Sequence, residues 1–195
     1  MAIPREVGMF VNMNLLDPVE TTRQPLTKAY LQGALHDATV RKVTYRIGAS
    51  DLSYAKFLKN GIIALGYRAW IYKEGKDRNY YIVEFARSLL DRFKLKSTQD
   101  KIDYIRGYFD TDGAVARSKK VRYYLYFSQK NKKDLSNVRN YLQQLGISCG
   151  VIHNPSKKMD DKYFRFFINA KSYSRFAELI GSWHPIKSKY VRVKI

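Results

Sequence analysis

The order of predicted secondary structure occurs twice along this sequence, and this repetition is the strongest constraint on its fold. In each half, a short helix precedes a strand, a capped helix that ends at a glycine, a hairpin and a final helix. Short matches occupy the same places in both halves, as "ALGYRAWIYK" does with "QLGISCGVIH". The pattern predicts an α+β fold of two pseudo-symmetric αββαββα repeats. Their antiparallel strands would form a saddle, with the helices packed behind it.

The chain divides into three predicted parts. Residues 1–25 contain three prolines and little periodicity, so we expect an irregular N-terminal leader. Residues 26–97 form the first predicted repeat, and residues 98–195 form the second, which ends in a basic C-terminal tail. Two similar halves related by a pseudo-twofold axis can follow the pseudo-symmetry of duplex DNA.

The charge of the chain indicates an anionic partner. The sequence has 36 Lys and Arg against 17 Asp and Glu, a formal net charge of +19. Nucleic acid is the leading candidate, and a membrane surface is the next. Because hydrophobic residues make up 45% of the chain, a disordered polyelectrolyte is excluded.

The single cysteine and the absence of long apolar runs bear on the compartment. Cys149 cannot form an intramolecular disulfide or a thiolate zinc cluster. No stretch approaches 18 uninterrupted apolar residues, and the N-terminus lacks an apolar signal core. We therefore expect no membrane span, and an intracellular, reducing compartment, either the cytoplasm or nucleoid of a prokaryote or an organelle.

The two halves share an acidic helix end. The segments "AYLQGALHDATV" and "DYIRGYFDTDGAV" align at Gly33 and Gly107. Because a missing Cβ lets backbones approach, we expect the two helices to cross at these glycines and to bring Asp37 beside Asp112. Two close carboxylates share a proton or hold a cation, and oxygen ligands with open positions suit Mg²⁺. The alternative for Asp112 is an ordinary Asp-Gly turn.

The segment "YIRGYFDTDGAV" resembles the motif of the LAGLIDADG homing endonucleases, and the repeated order of elements resembles their single-chain, two-repeat members. In that family the last acid of the motif coordinates a divalent cation, and the matching residue is Asp112. In the first half an ungapped alignment places Ala38 at this position, whereas a one-residue gap places Asp37 there. We prefer the gap because it also aligns Val40 with Val115.

The resemblance implies a monomeric, site-specific, intron-encoded endonuclease that cuts both strands of a long, pseudo-palindromic DNA target. Asp37 and Asp112 would hold Mg²⁺, with Mn²⁺ as a substitute, and Gln129 would lie near the catalytic water. A basic residue near the scissile phosphate would come from one of three unranked candidates, namely Arg87, Arg165 and Lys171. The alternatives are an RNA-splicing maturase, which would bind RNA, and a catalytically inactive DNA-binding protein of the same fold.

Two further polar residues lie close to the acidic helix ends in the sequence. We interpret Asp110 as a packing residue at the end of its helix. His36 is interpreted as an ordinary polar residue at the helix interface, with a contact to substrate as the alternative.

Alternating residues divide each predicted strand into a core face and an outer face. The core set is Val43, Tyr45, Ile47, Val121, Tyr123, Leu125, Phe127, Phe164, Phe166 and Ile168. Basic and polar residues on the outer faces and at the hairpins would contact DNA, because a β-ribbon can enter the major groove. These predicted DNA-binding residues are Thr44, Arg46, Arg68, Lys73, Arg122, Tyr124, Tyr126, Ser128, Tyr163 and Arg165. The alternative is that they form a solvated strand face.

Overall fold

A computed structural model of the protein describes residues 25–75 and 78–191. The predicted leader lies outside the described residues except for Pro25, which precedes the first helix. None of the helices in the described ranges is long and apolar enough to cross a bilayer.

The first half of the chain alternates helices with short strands. Its elements are α1 (Lys28–Ala34), β1 (Thr39–Val40), β2 (Thr44–Ala49), α2 (Leu52–Ala64), β3 (Ala69–Lys73) and β4 (Tyr81–Ala86), followed by a 3₁₀ helix at Arg87–Leu90. The strands form one antiparallel sheet in the order β1-β2-β4-β3.

The second half follows the same plan. Its elements are α3 (Thr98–Asp112), β5 (Gly113–Val115), β6 (Leu125–Gln129), α4 (Lys132–Gln144), β7 (Phe164–Phe167), a 3₁₀ helix at Ala170–Ser172, α5 (Tyr173–Leu179) and α6 (Lys187–Val191). The sheet order is β5-β6-β7. Cys149 and His153 form isolated bridges with Ile168 and Arg165, which extend this sheet beyond β7. They occupy the position that β3 has in the first sheet. The predicted fold class, α+β with antiparallel sheets and helices, is confirmed.

Local sequence signals set the ends of the helices. The Thr27 hydroxyl caps α1 by accepting a hydrogen bond from the Tyr30 amide at 3.1 Å. Ser97 and Asp100 form a reciprocal capping box at the start of α3. Gly66 and Gly146 follow α2 and α4 with φ of 85° and 74°, a left-handed conformation in which glycine carries no steric cost.

The helices α1 and α3 cross at the two predicted glycines. A Cβ added to Gly33 would overlap the Tyr104 carbonyl, and one added to Gly107 would overlap the Tyr30 carbonyl. This contact joins two separate hydrophobic cores, one in each half of the chain. The C-terminal ends of α1 and α3 are therefore held side by side.

Two of the predicted core positions are wrong. Val43 is 68% exposed because β2 begins one residue after it, and Val121 is 45% exposed because β6 begins only at Leu125. The periodicity predicted strands longer than those that pair in the sheets. The short strands β1 and β5 were missed because two or three residues carry no measurable alternation.

The predicted basic tail is folded as far as the structure describes it. His184 is buried, and α6 buries both Lys187 and Val191. These side chains are buried in the fold, so this part of the segment is not an exposed tail. Residues 192–195 lie outside the described part of the chain.

Candidate active site and nucleic-acid interface

The acidic residues of the two halves meet where α1 and α3 end. Asp112 is the last residue of α3, and Asp37 lies in the turn that follows α1. The two carboxyl groups lie within hydrogen-bonding reach of each other. Burial, the hydrogen bond with Asp37 and the charge of Asp37 raise the pKa of Asp112 to about 8. One of the two carboxyls therefore retains a proton near neutral pH when no cation is present.

The structure places Asp37, and not Ala38, opposite Asp112. The helix α1 ends at Ala34, so the chain turns early and directs Asp37 towards the end of α3. Ala38 instead packs against the core of the first half. This is the arrangement expected from the alignment with a one-residue gap.

Gln129, at the end of β6, also reaches the carboxyl pair. Its Nε2 donates a hydrogen bond to Asp37 Oδ1 at 3.3 Å, which joins a residue of the second half to one of the first. The neighbouring Ser128 hydroxyl donates to the backbone carbonyl of Asp112 at 3.3 Å. Strand β6 thus contacts both acidic residues.

Asp110 is a buried packing residue at the interface between the halves. Its carboxyl accepts hydrogen bonds from the Tyr30 hydroxyl at 2.7 Å and from the backbone amides of Trp183 and His184 at 2.9 and 3.0 Å. The Ser182 hydroxyl donates a further hydrogen bond. Burial raises the pKa of Asp110, whereas the Lys187 ammonium and these donors oppose the rise. Four donors of the protein itself therefore hold this carboxyl, as expected for a packing residue.

Lys187 is a residue near the site that the sequence analysis missed. From α6 its ammonium donates to the carbonyls of Phe109, Asp110 and Gly113 at 2.8, 2.8 and 2.7 Å. It therefore binds carbonyls at the C-terminal end of α3, of which that of Phe109 also accepts from the Gly113 amide, and it places a cation near the negative pole of that helix. Burial lowers the pKa of Lys187 to about 8.

His36, next to Asp37 in the chain, contacts residues of the second half. Its Nε2 shares a hydrogen bond with the Tyr104 hydroxyl at 2.6 Å, and its Nδ1 is 3.5 Å from Asp134 Oδ2. The ring packs against Tyr108 with centroids 4.2 Å apart. Burial lowers the pKa of His36. These contacts are those of a polar residue at a helix interface.

A cavity of about 360 Å³ adjoins the carboxyl pair and is lined by residues of both halves. Asp37 contributes to its wall, and Arg117 and Lys187 bring positive charge to it. The three basic residues predicted to assist at the phosphate, Arg87, Arg165 and Lys171, do not line this cavity in the described part of the chain. Arg117 is therefore the better-placed arginine, although no sequence pattern singled it out.

The donor set at the site suits a cation that takes some of its ligands from the protein and the others from water and a substrate. Within residues 25–75 and 78–191, no group of three or more His, Cys, Asp or Glu side chains converges as a metal site. Two carboxylates provide oxygen ligands and leave positions open. Mg²⁺ is commonly bound in this way, by one or two carboxylates together with water and phosphate oxygens.

The outer faces of both sheets carry most of the predicted DNA-binding residues. Thr44 and Arg46 lie on β2, and Tyr126 and Ser128 lie on β6, all half-buried. Arg68 and Arg122 are exposed just before the strands of their sheets, and Tyr124 and Tyr163 are half-buried in the same flanking positions. Arg165, on β7, packs its guanidinium against the rings of Tyr126 and Phe167, with centroid distances of 5.6 and 5.1 Å.

The outer face of the first sheet contains three residues that were not predicted. Trp70 and Tyr72 on β3 are 51% and 39% exposed, and Glu84 on β4 lies beside them. The alternation of "AWIYK" could have identified Trp70 and Tyr72, because it assigns Ala69 and Ile71 to the opposite face, where they are the more buried residues. The predicted DNA-binding residue Lys73 shares the face of Ala69 and Ile71 in this alternation. It is exposed at the last position of β3.

Comparison with known proteins places this architecture in the LAGLIDADG fold. Residues 99–181, in the second half of the chain, match the family model of the LAGLIDADG-like domain. No curated protein matches the sequence.

Solved structures that are similar to this chain share its fold at low sequence identity. The structure of I-DmoI in complex with DNA and Ca has a TM-score of 0.60 at 20% identity, covering 83% of this chain and 94% of that one. The complex of I-DmoI with DNA and Mn has a TM-score of 0.57 at 20% identity, covering 78% and 94%. The N-terminal LAGLIDADG domain of DUF199/WhiA has a TM-score of 0.63 at 16% identity, covering 79% and 80%.

Proposed function

We propose that this protein is a monomeric, site-specific DNA endonuclease with two LAGLIDADG-like repeats that hydrolyses one phosphodiester in each strand of a long, pseudo-palindromic duplex. The observation that carries the proposal is the meeting of Asp37 and Asp112, one acid from each half, at the ends of two helices locked together by glycines. If the two halves are related by a pseudo-twofold axis, a pair with one acid from each half lies near that axis, where it can serve both strands of a duplex.

The carboxyl pair supports a divalent cation at this position. Burial, together with the neighbouring Asp37, raises the pKa of Asp112, and a bound cation would favour the ionised form of both acids. Bound Mg²⁺ or Mn²⁺ supplies Lewis-acid stabilisation of the charge that develops on the phosphate. Asp37 and Asp112 hold the cation, and Gln129 orients the Asp37 carboxylate through its amide. Lys187 keeps the end of α3, and hence Asp112, in place.

The charge distribution and the similar structures support DNA as the substrate. A net charge of +19 suits a polyanion, and two antiparallel sheets present Arg, Tyr, Thr and Ser on their outer faces. I-DmoI, which has the same fold, was solved with DNA and with Mn or Ca.

A cleavage assay on a randomised duplex library tests the proposal. The full-length protein is incubated with the library and Mg²⁺, with and without EDTA, and the cut ends are sequenced. We expect breaks in both strands at a defined sequence in Mg²⁺ and none in EDTA. Nicks confined to one strand would mean that the half containing Asp37 does not support hydrolysis.

A DNA-binding protein without cleavage is the second candidate. The observation that favours it is the early end of α1, which leaves Asp37 outside the helix and hydrogen-bonded to Gln129. In the same assay this candidate predicts sequence-selective retention of library members without cut ends. That outcome would reject the endonuclease.

A further inference from the structure

The outward residues at the centres of the two sheets differ in chemistry. Asp51 and Asn131 cap the equivalent helices α2 and α4. Arg46 lies five residues before the first cap, and Tyr126 lies five residues before the second. Arg46 pairs across the sheet with Glu84, whereas Tyr126 pairs with Phe167. One half therefore presents an ion pair where the other presents two aromatic rings.

Glu84 holds Arg46 in a defined position. Its carboxylate accepts hydrogen bonds from the Thr44 hydroxyl at 2.7 Å, from Arg46 Nε at 2.9 Å and from the Tyr72 hydroxyl at 2.9 Å. The Arg46 guanidinium also lies over the Tyr72 ring, 5.7 Å from its centroid. Three strands of the sheet thus contribute to the orientation of one arginine.

The terminal nitrogens of Arg46 remain available to a ligand. Only Nε is engaged by Glu84, and neither terminal nitrogen donates to a described residue. A guanidinium held in this way presents two parallel N–H groups, the arrangement that matches O6 and N7 of guanine in the major groove. Orientation before binding lowers the entropy cost of that contact.

The matching position of the second half lacks this arrangement. Tyr126 packs edge-on against Phe167 with ring centroids 5.4 Å apart. Arg165 lies over both rings, and its Nε is buried without a hydrogen-bond partner in the described part of the protein. No carboxylate of the described residues holds that guanidinium, so this position of the second half does not reproduce the arrangement around Arg46.

We propose that Arg46, oriented by Glu84, reads a guanine in the half-site bound by the first half of the protein, and that the other half-site has no equivalent requirement. This inference rests on the proposed sequence-specific DNA binding. It makes Arg46 a specificity-determining residue and Glu84 a positioning residue, and it predicts a target whose pseudo-palindromic symmetry is broken at this base pair.

Selection of binding sites from a randomised duplex library tests the inference. Selection in EDTA separates binding from cleavage. We expect the wild-type protein to enrich a site with a guanine required in one half only. Arg46→Ala and Glu84→Ala should each reduce discrimination at that base pair by about tenfold or more and leave other positions unchanged.

Matched variants distinguish recognition of a base from electrostatic attraction to the DNA backbone. Arg46→Lys keeps the positive charge but not the two parallel N–H donors of the guanidinium. It should therefore also lose the guanine preference while retaining overall affinity. Arg68→Ala, at an exposed arginine outside the network, should weaken binding to all sequences equally. Glu74→Gln, at an exposed carboxylate that pairs with Arg78, should change neither property. Thermal unfolding of each variant verifies that the fold is retained.

The outcomes distinguish this inference from the proposed function. If the wild-type protein enriches no sequence, site-specific binding itself fails. If it enriches a defined site and Arg46→Ala retains the same base preferences with uniformly lower affinity, Arg46 contacts phosphate and only the inference is overturned. A guanine requirement in both half-sites would overturn it as well.

Discussion

The carboxyl group of Asp112, at the end of α3, lies within hydrogen-bonding reach of the carboxyl group of Asp37, in the turn after α1. The two acids belong to different halves of a chain with 36 basic and 17 acidic residues. Their proximity is unfavourable without a cation, and it is imposed by the crossing of α1 and α3. The site therefore depends on a geometry that the rest of the fold must stabilise.

Removing either carboxylate should abolish cleavage without abolishing DNA binding. Asp37→Asn and Asp112→Asn keep the size of the side chain but remove a ligand of the proposed cation. We expect each to lower the rate of cleavage by more than about 100-fold, beyond the loss typical of residues that only orient metal ligands. Time courses on a selected target in Mg²⁺ measure this, with Asp161→Asn at an exposed acid as the control. Cleavage at the wild-type rate by both variants would exclude the carboxyl pair as the catalytic centre.

The stability of the metal-free protein should fall as the pH rises through the range in which Asp112 titrates. The pKa of Asp112 is raised from 3.8 to about 8 in the fold. At a pH between these two pKa values, Asp112 keeps its proton in the folded protein and has lost it in the unfolded chain. A higher pH therefore favours unfolding. The slope is at most about 1.4 kcal/mol per pH unit, and solvent screening reduces it.

The variant Asp112→Asn isolates this contribution. His184 has the opposite effect, because its pKa is lowered to about 4 and the unfolded chain binds a proton that the fold excludes. That effect is common to both proteins and cancels in their difference. Urea unfolding in EDTA at pH 5 and pH 7.5 should show that the variant gains stability relative to wild type at the higher pH. An equal difference at both pH values would contradict the assigned pKa.

The sequence predicted the parts of this structure that depend on local patterns. The repeated order of elements, the helix-ending glycines and the crossing at Gly33 and Gly107 follow from residue types at short spacings. Asp37 could be proposed because the same pattern occurs in both halves. The bounds of the strands were less accurate, since alternation continues past the last paired residue, as at Val121.

The contacts that the sequence did not predict join residues far apart in the chain. Lys187 donates to a carbonyl 74 residues away, and a basic C-terminal sequence gives no sign that one of its lysines is buried. Glu84 is recognisable as an outward residue of β4, but its bonds to Thr44 and Tyr72 depend on the register of three strands. Tertiary packing, rather than local preference, decides such contacts.

The glycines at the helix crossing should not tolerate even a methyl group. Gly33→Ala or Gly107→Ala would place a Cβ against a backbone carbonyl of the facing helix, and neither backbone can move without separating the halves. We expect a large loss of thermal stability and of cleavage, because the same shift separates Asp37 from Asp112. Gly150→Ala is the control, since its Cβ would meet the Phe167 carbonyl at an ordinary 3.5 Å. Equal melting temperatures for all three variants would contradict the close crossing.

Lys187 should be essential to the fold although it lies in a basic C-terminal segment. Its ammonium bonds three carbonyls at the end of α3 and lies close to the buried Asp110 carboxyl. Lys187→Met fills similar space but removes the ammonium donor from these carbonyls, of which that of Phe109 keeps a second donor, the Gly113 amide. It also leaves the Asp110 carboxyl without a cation, and the change should cost about 3–5 kcal/mol of unfolding free energy. Lys189→Met changes an exposed lysine of the same helix and should have little effect.

Urea unfolding of both lysine variants at pH 7 measures the difference. Because Lys187 supports the turn of α3 that carries Asp112, its variant should also lose cleavage at temperatures where it remains folded. Lys187→Arg retains the positive charge but has a bulkier side chain. If it recovers part of the stability but little of the cleavage, the site needs the exact position of α3 and not only a positive charge at the end of that helix. If Lys187→Met unfolds at the same urea concentration as Lys189→Met, the ammonium does not hold the end of the helix, and the placement of Asp112 must have another cause.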